Sequence, residues 1–206
     1  MKNKSKNLYL IPQIPDGQNI IGRLLVSMFG GFDEVLGKDG RIYYILLCRL
    51  INKAIYEYSM VNEYCIKEST PSDEIFSHKI IDHLENCVNA VHRANLLAID
   101  MVNRNKLPSS INKNLLLQIK RKLASIKVKE IRHRIEHMNE DLANIGKYPL
   151  KGSHSVYFDE KKTSLVINKR KLTLSDLAKN IDLLQGFVDH INISLPNKRT
   201  GNKFYY

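Results

Sequence analysis

The sequence has few cysteines and no long run of apolar residues. Its three cysteines, Cys48, Cys65 and Cys87, are odd in number and widely spaced, and no two form a CxxC pair. This pattern argues against a disulfide framework and against cysteine-based zinc or redox sites. It favours buried thiols in a reducing compartment. The longest apolar run covers residues 42–48, whereas a membrane-spanning helix needs about 20 such residues.

The beginning of the sequence also lacks the pattern of an export signal. Lys2, Lys4 and Lys6 are followed by an apolar stretch at residues 8–11, which Pro12 interrupts. This stretch is shorter than the core of a signal peptide. We therefore expect a cytoplasmic protein without a membrane partner.

Acidic residues are outnumbered, with 21 Asp and Glu against 32 Lys and Arg, for a formal net charge of +11. This excess favours polyanionic partners, although it does not separate RNA from DNA, anionic lipid or an acidic protein, and a general preference for lysine would produce it too. Between residues 113 and 134 the cations are dense and Glu130 is the only acid. That segment is predicted to be a helix that faces a polyanion or is strongly solvated.

The apolar periodicity predicts a mainly α protein. Residues 1–19 read as an extended basic arm, residues 20–195 as a single helical domain and residues 196–206 as a basic, aromatic tail. Within the domain we expect a short helix at residues 20–29 and long helices at about 41–66, 71–105 and 110–145. Thr70 and the segment 107–110 offer caps for the second and third long helices.

Two short apolar segments around residues 159–162 predict a β-hairpin at about 154–168. Thr173 then caps a last helix, with Asp176 at the capping-box position. The expected fold is a four-to-five-helix bundle with a small β-hairpin inserted before the last helix.

One segment in the predicted third helix carries candidate chemistry: Arg132-His133-Arg134-Ile135-Glu136-His137. It resembles the Arg-x(4–6)-His motif of HEPN-family ribonucleases, which are four- or five-helix bundles. Arg132 and His137 bracket four residues, and His133 takes the polar position after the arginine. The resemblance in fold covers roughly residues 41–194, but only residues 132–137 are motif-like.

The resemblance implies a metal-independent endoribonuclease of the toxin or phage-defence type, with no cofactor. His137 would transfer protons and Arg132 would hold the phosphate, because a neutral-pH imidazole and a permanently charged guanidinium suit these roles. His133 would orient the site or supply a second proton-transfer group. RNA would be bound by the surrounding cations Lys120, Arg121, Lys122, Lys127, Lys129 and Arg134.

Helix geometry predicts that this site is shared between two chains. Five residues along a helix turn by about 140°, so Arg132 and His137 do not share a face, whereas His133 and His137 do. Two-fold pairing of the third helices would bring Arg132 of one chain to His137 of the other. We therefore expect a homodimer. The resemblance to toxin and phage-defence ribonucleases implies an antitoxin or regulatory protein as a further partner.

Other interpretations of the same segment stay open. Arg132–Glu136 and His137–Asp141 could be helix ion pairs on a solvated face. The protein would then be a non-catalytic HEPN-like module that binds RNA, a nucleotide or a protein, or an interaction module without a nucleic-acid role. Residues 133–137 also spell HxxEH, a zinc-enzyme signature, although the neighbouring arginines would repel a dication. His78, His83 and His92 are predicted to be surface or boundary residues.

Overall fold

The computed structural model describes residues 33–67, 74–125, 127–137, 156–158, 164–167 and 170–193. Five helices and three strands lie within these ranges, in the order α1 (Asp33–Lys67), α2 (Glu74–Asn103), α3 (Lys113–Ser125), α4 (Val128–Glu136), β1 (Val156–Phe158), β2 (Ser164–Ile167), β3 (Arg170–Thr173) and α5 (Leu174–Ile193). The predicted mainly α bundle, with a small β-hairpin before the last helix, is confirmed. None of these helices combines the length and the apolar character that crossing a membrane requires.

Helices α1 and α2 form an antiparallel pair. The hydroxyl of Tyr43 donates to Asp100 Oδ2 at 2.9 Å. Further along α1, Glu57 Oε2 lies 2.6 Å from His83 Nδ1. Residues later in α1 therefore contact residues earlier in α2, as expected for antiparallel helices. The three cysteines lie in this pair and are buried, as predicted.

Helix α5 covers the inner side of the α1–α2 pair and runs antiparallel to α1. Tyr44 donates to Asn192 Oδ1 at 2.5 Å, and Tyr58 donates to the carbonyl of Leu174 at 3.4 Å. Tyr44 and Phe187 are among the largest fully buried side chains of the shared core. Burying each such side chain stabilises the fold by roughly 1.5–3 kcal/mol.

Several helix boundaries differ from the sequence-based ones. Helix α1 begins before Arg41 and contains a break at Gly37, whose φ of 68° and ψ of 164° are not helical. Helix α2 ends at Asn103 and is followed by Asn105 in a left-handed conformation, with φ 52°. The prediction of a cap for α3 at residues 107–110 is wrong, because Asn112 Oδ1 accepts the backbone N–H groups of Asn114 and Leu115.

The predicted third helix is two helices. The change of apolar phase after Ile126 predicted a kink, and α3 does end at Ser125 with α4 beginning at Val128. The predicted end near residue 145 is wrong, because α4 ends at Glu136 and His137 is its C-cap. The first described turn of α4 buries Val128 and Ile131.

The predicted hairpin is present, and a third strand extends it. Strands β1 and β2 pair antiparallel with Tyr157 opposite Val166, and β3 pairs antiparallel with β2, with Leu172 opposite Leu165. Strand β3 was missed because three of its four residues are polar or charged and only Leu172 is buried. The predicted cap of α5 is confirmed, since Thr173 Oγ1 accepts the Asp176 N–H at 3.0 Å.

The arm at 1–19, the short helix at 20–29, the cap at Thr70, the ion pair of His137 with Asp141 and the tail at 196–206 lie outside the described residues.

Candidate active site

Helix α4 positions the motif because one of its faces is apolar and packs inward. Val128 and Ile131 are buried and Ile135 is partly buried, at the 3-and-4 spacing of one helix face. This face contacts α2 and the strands β2 and β3. Glu130 Oε2 lies 3.7 Å from Nη1 of Arg170 on β3, and this ion pair links α4 to the sheet. The remaining residues of the motif are therefore held on the outer side of a fixed helix.

The two motif histidines lie together at the C-terminal end of α4. The ring centroids of His133 and His137 are 4.2 Å apart, with the rings tilted by 58°. The backbone N–H of His137 donates to the carbonyl of His133 at 3.1 Å, so the last turn of the helix fixes their relative position. His133 is exposed and His137 is half-buried. Both imidazoles are thus presented at one place near the surface.

Arg132 forms an ion pair with Glu136 on the same helix. Both side chains keep about a third of their surface exposed, at 35% and 38%. This is the contact that the interpretation as a solvated helix face predicted. An exposed i,i+4 pair contributes only about 0.3–0.5 kcal/mol, so a phosphate group could replace the carboxylate at little cost.

His92 lies beside this site, and sequence reasoning missed it. Its prediction as a surface or boundary residue is wrong, since only 6% of His92 is exposed. Burial lowers the pKa of the His92 imidazole, and the nearby charges of Arg132 and Lys129 lower it further. A neutral imidazole on α2 therefore adjoins the cationic face of α4.

A sequence signal for His92 did exist. Val88 lies four residues before His92 and belongs to the apolar stripe of α2. At 100° per residue His92 falls about 40° from Val88, so it borders this stripe, and the packing of α4 against α2 is enough to bury it.

The six predicted RNA-binding residues do not all lie on one surface. Lys129 is one helical turn from His133 and shares its face of α4, while Lys127 and Arg134 follow a different face. Lys120 is half-buried, and its Nζ donates to Asn103 Oδ1 at 2.5 Å at the end of α2. Arg121 and Lys122 are exposed on α3. Of the six, Lys129 is the one whose position beside the histidines follows directly from the helix.

The site offers few donors for a metal ion. Across the described ranges no three His, Cys, Asp or Glu side chains come together in an arrangement that could hold one. His133 and His137 are the two nitrogen donors of the HxxEH interpretation, but Glu136 is engaged by Arg132. The residues present fit proton transfer and anion binding better than zinc coordination.

Comparison with known protein families, curated proteins and solved structures finds no match to this chain. The resemblance to HEPN ribonucleases therefore rests on the motif residues and the helical bundle alone.

Proposed function

We propose that this protein is a cytoplasmic, metal-independent endoribonuclease of the toxin or phage-defence type, whose site contains Arg132, His133 and His137. The observation that carries the proposal is the contact between the two imidazoles, whose ring centroids are 4.2 Å apart at the end of α4, on the same helix as the partly exposed Arg132. Histidine is the side chain that most readily exchanges protons near neutral pH. A pair of them with a phosphate-binding cation provides the groups that RNA cleavage needs.

The reaction is an internal transfer at phosphorus. One imidazole accepts the proton of a ribose 2′-hydroxyl, whose oxygen then bonds to the adjacent phosphorus. The bond from phosphorus to the 5′-oxygen breaks, and that oxygen receives a proton from the second imidazole. The products are a 2′,3′-cyclic phosphate and a 5′-hydroxyl, with no net gain or loss of protons by the protein.

Arg132 binds the phosphate and stabilises the charge that develops on its oxygens. Its guanidinium is always protonated and is already oriented by Glu136. When RNA is absent, the guanidinium of Arg132 is paired with the carboxylate of Glu136. When RNA is bound, a phosphate oxygen replaces this carboxylate as the partner of Arg132. Lys129 adds positive charge on the face of α4 that carries His133.

A second copy of the chain completes the site. Arg132 and His137 point about 140° apart around α4, whereas His133 and His137 touch. Pairing of two α4 helices about a two-fold axis places Arg132 of one protomer opposite the imidazoles of its partner. Both protomers then contribute to each of two equivalent sites.

The decisive experiment measures cleavage of single-stranded RNA in excess EDTA, with the product ends identified by mass. We expect cleavage without metal and a 2′,3′-cyclic phosphate. His137→Ala should lower the rate by about 10²–10⁴, the usual contribution of an acid–base group, while changing stability by no more than about 1 kcal/mol. The matched control is His78→Ala, which removes an exposed histidine from α2 and should leave the rate unchanged.

Two outcomes would contradict this proposal. Activity that EDTA abolishes and zinc restores would favour the HxxEH interpretation. Wild-type cleavage by His137→Ala, or loss of cleavage only because that variant has unfolded, would assign the histidine a structural role.

The second candidate function is a non-catalytic module that binds RNA, a nucleotide or a protein. The ion pair between Arg132 and Glu136 favours it, because an arginine satisfied within its own helix needs no substrate. On this interpretation the protein binds RNA without cutting it, and Glu136→Gln leaves a protein that is still inactive. On the ribonuclease interpretation the same variant frees Arg132 and alters cleavage.

A further inference from the structure

The outward side of the α1–α2 pair carries a groove that the bundle leaves open. Its volume is about 860 Å³, and its floor is formed by four leucines from the two helices: Leu46, Leu50, Leu96 and Leu97. Leu46 and Leu96 remain 43% and 52% exposed. Leu50 and Leu97 are partly buried against the core, so Leu46 and Leu96 are the leucines that the groove leaves exposed.

The apolar surface continues beyond the groove along α1. Ile42 and Tyr56 are 57% and 59% exposed. At 100° per residue they fall within about 80° of Leu46, on the same outward stripe of the helix. Four of the five large hydrophobic residues that are exposed in the described ranges therefore lie on this one face: Ile42, Leu46, Tyr56 and Leu96. Scattered exposed leucines are ordinary, but several exposed apolar side chains on one face, interrupted only by cations, mark a surface that is covered by a partner.

The rim of the groove is cationic. Arg49 and Lys53 lie on the α1 side and Arg93 on the α2 side, all exposed and without a carboxylate partner among the described residues. Arg104 also lines the groove but is paired with Asp100 at 2.8 Å. Hydrogen bonds from Arg104 and Tyr43 lower the pKa of the Asp100 carboxyl, which stays ionised. Four cations and one carboxylate leave the rim with a net charge of +3.

We propose that this groove binds an amphipathic helix of a partner protein that carries leucine-like residues on one face and Asp or Glu along its flanks. The apolar side chains would pack on the four leucines, and the carboxylates would meet Arg49, Lys53 and Arg93. From Arg93 on α2 to Arg104, which directly follows α2, the groove extends about 16 Å at 1.5 Å per residue, so it accommodates about three turns of helix. This proposal does not depend on ribonuclease activity.

Charge and chemistry disfavour the other occupants. A second copy of this chain would bring two cationic rims together, and like charges across an interface are repulsive. RNA would be attracted by the rim, but the apolar residues that line the groove are aliphatic, and the exposed Tyr56 lies beyond the groove on α1. The floor therefore offers no aromatic ring on which a base could stack. A helix with acidic flanks satisfies the floor and the rim together.

The test measures binding of a fluorescently labelled synthetic helix, about 18 residues long, with Leu at i, i+3, i+4 and i+7 and Glu at the flanking positions. The full-length protein is titrated into this peptide and into a version with Lys in place of Glu. We expect saturable binding of the Glu peptide that weakens with salt, and at least about tenfold weaker binding of the Lys peptide.

Matched variants locate the binding. Leu96→Glu should weaken binding of the Glu peptide at least about tenfold, whereas Leu117→Glu, at an exposed leucine of α3 outside the groove, should not change it. Arg93→Glu should weaken it severalfold, whereas Lys179→Glu, at an exposed position of α5, should not. Circular dichroism and melting temperature confirm that each variant is folded.

Any of three results would overturn the proposal. The Glu peptide fails to bind, or binds equally well to the groove variants and their controls. Wild-type protein forms dimers that Leu96→Glu dissociates, which makes a second copy the occupant. Single-stranded RNA competes with the peptide and its binding is lost in Leu96→Glu, which makes RNA the occupant. Since cleavage is measured separately and His137→Ala leaves the groove intact, failure here is distinguishable from failure of the proposed enzyme activity.

Discussion

The imidazole of His92 is buried between the core of the bundle and two cations of α4. Its pKa is lowered from the ordinary 6.5 by burial and by the charges of Arg132 and Lys129. Below pH 6.5 the unfolded chain takes up a proton at this residue, while the folded chain resists protonation until its lower pKa is reached. The unfolded state then binds more protons, so the free energy of unfolding falls as the pH falls.

This linkage predicts how a variant behaves. His92→Gln keeps a polar side chain of similar length but removes the titration. We expect the free energy of unfolding to fall less between pH 7 and pH 5 in this variant than in the wild type, as measured by urea denaturation at several pH values. Comparing the two slopes removes the contributions of other groups, such as Glu85, whose pKa burial raises. Parallel slopes would show that His92 does not titrate differently in the folded chain.

At the scale of single residues, the sequence predicts contacts within a helix but not between helices. The nearness of His133 to His137, and of Arg132 to Glu136, follows from i,i+4 spacing alone. The burial of His92 depends on how α4 packs against α2, which no local pattern specifies. For the same reason the contact of Glu57 Oε2 with His83 Nδ1 across α1 and α2 could not be predicted.

At the scale of elements, two glycines in helices have opposite roles. Gly37 adopts φ 68° and ψ 164°, a combination that is essentially restricted to glycine, and an added Cβ would meet no atom within 4 Å. Gly186 lies inside α5 with φ outside the left-handed region and equally open space around it. Replacing either glycine with alanine would cause no clash, so only the backbone conformation distinguishes the two positions.

We therefore predict opposite changes in stability. Gly37→Ala should lower the free energy of unfolding by about 1–3 kcal/mol, because alanine is strained in that conformation. Gly186→Ala should raise it by about 0.5–1 kcal/mol, because alanine is the better helix former. Urea denaturation of both variants beside the wild type provides the measurement. A stabilising Gly37→Ala would mean that α1 continues through residue 37 without a break.

Among the elements, long apolar stripes were the most predictable. Helices α1, α2 and α5 follow from 3-and-4 spacing, and the phase change after Ile126 predicted the break between α3 and α4. The early end of α4 was missed because Met138, Leu142 and Ile145 continue the apolar spacing in the sequence. The sequence did not predict strand β3, because its composition is not typical of a strand. Its strand conformation depends on pairing with β2.

At the scale of the whole molecule, the proposed shared site predicts complementation between inactive variants. Arg132→Ala and His137→Ala each spoil both sites of a homodimer. In an equimolar mixture that exchanges subunits, half of the dimers are mixed, and each has one site with an intact Arg132 and an intact His137. We expect recovery of about one quarter of the wild-type rate.

The measurement is RNA cleavage before and after the two variants are incubated together, with each variant alone as the control. Sedimentation under the same conditions establishes the dimer. If the mixture stays as inactive as its components while subunits exchange, both residues act within one chain. A monomeric wild type that cleaves RNA would exclude the shared site altogether.

The three buried cysteines can be used to measure transient opening of the α1–α2 pair. Cys48 and Cys65 lie on α1 and Cys87 on α2, with exposures of 0%, 2% and 0%. A thiol-specific reagent therefore reaches them only during transient opening, and its slow reaction rate under native conditions measures how often that happens. Mass spectrometry distinguishes two forms of opening. Direct conversion of unlabelled chains to triply labelled chains means that α1 and α2 separate in one event. Accumulation of singly or doubly labelled chains means that one helix loosens while the other stays packed.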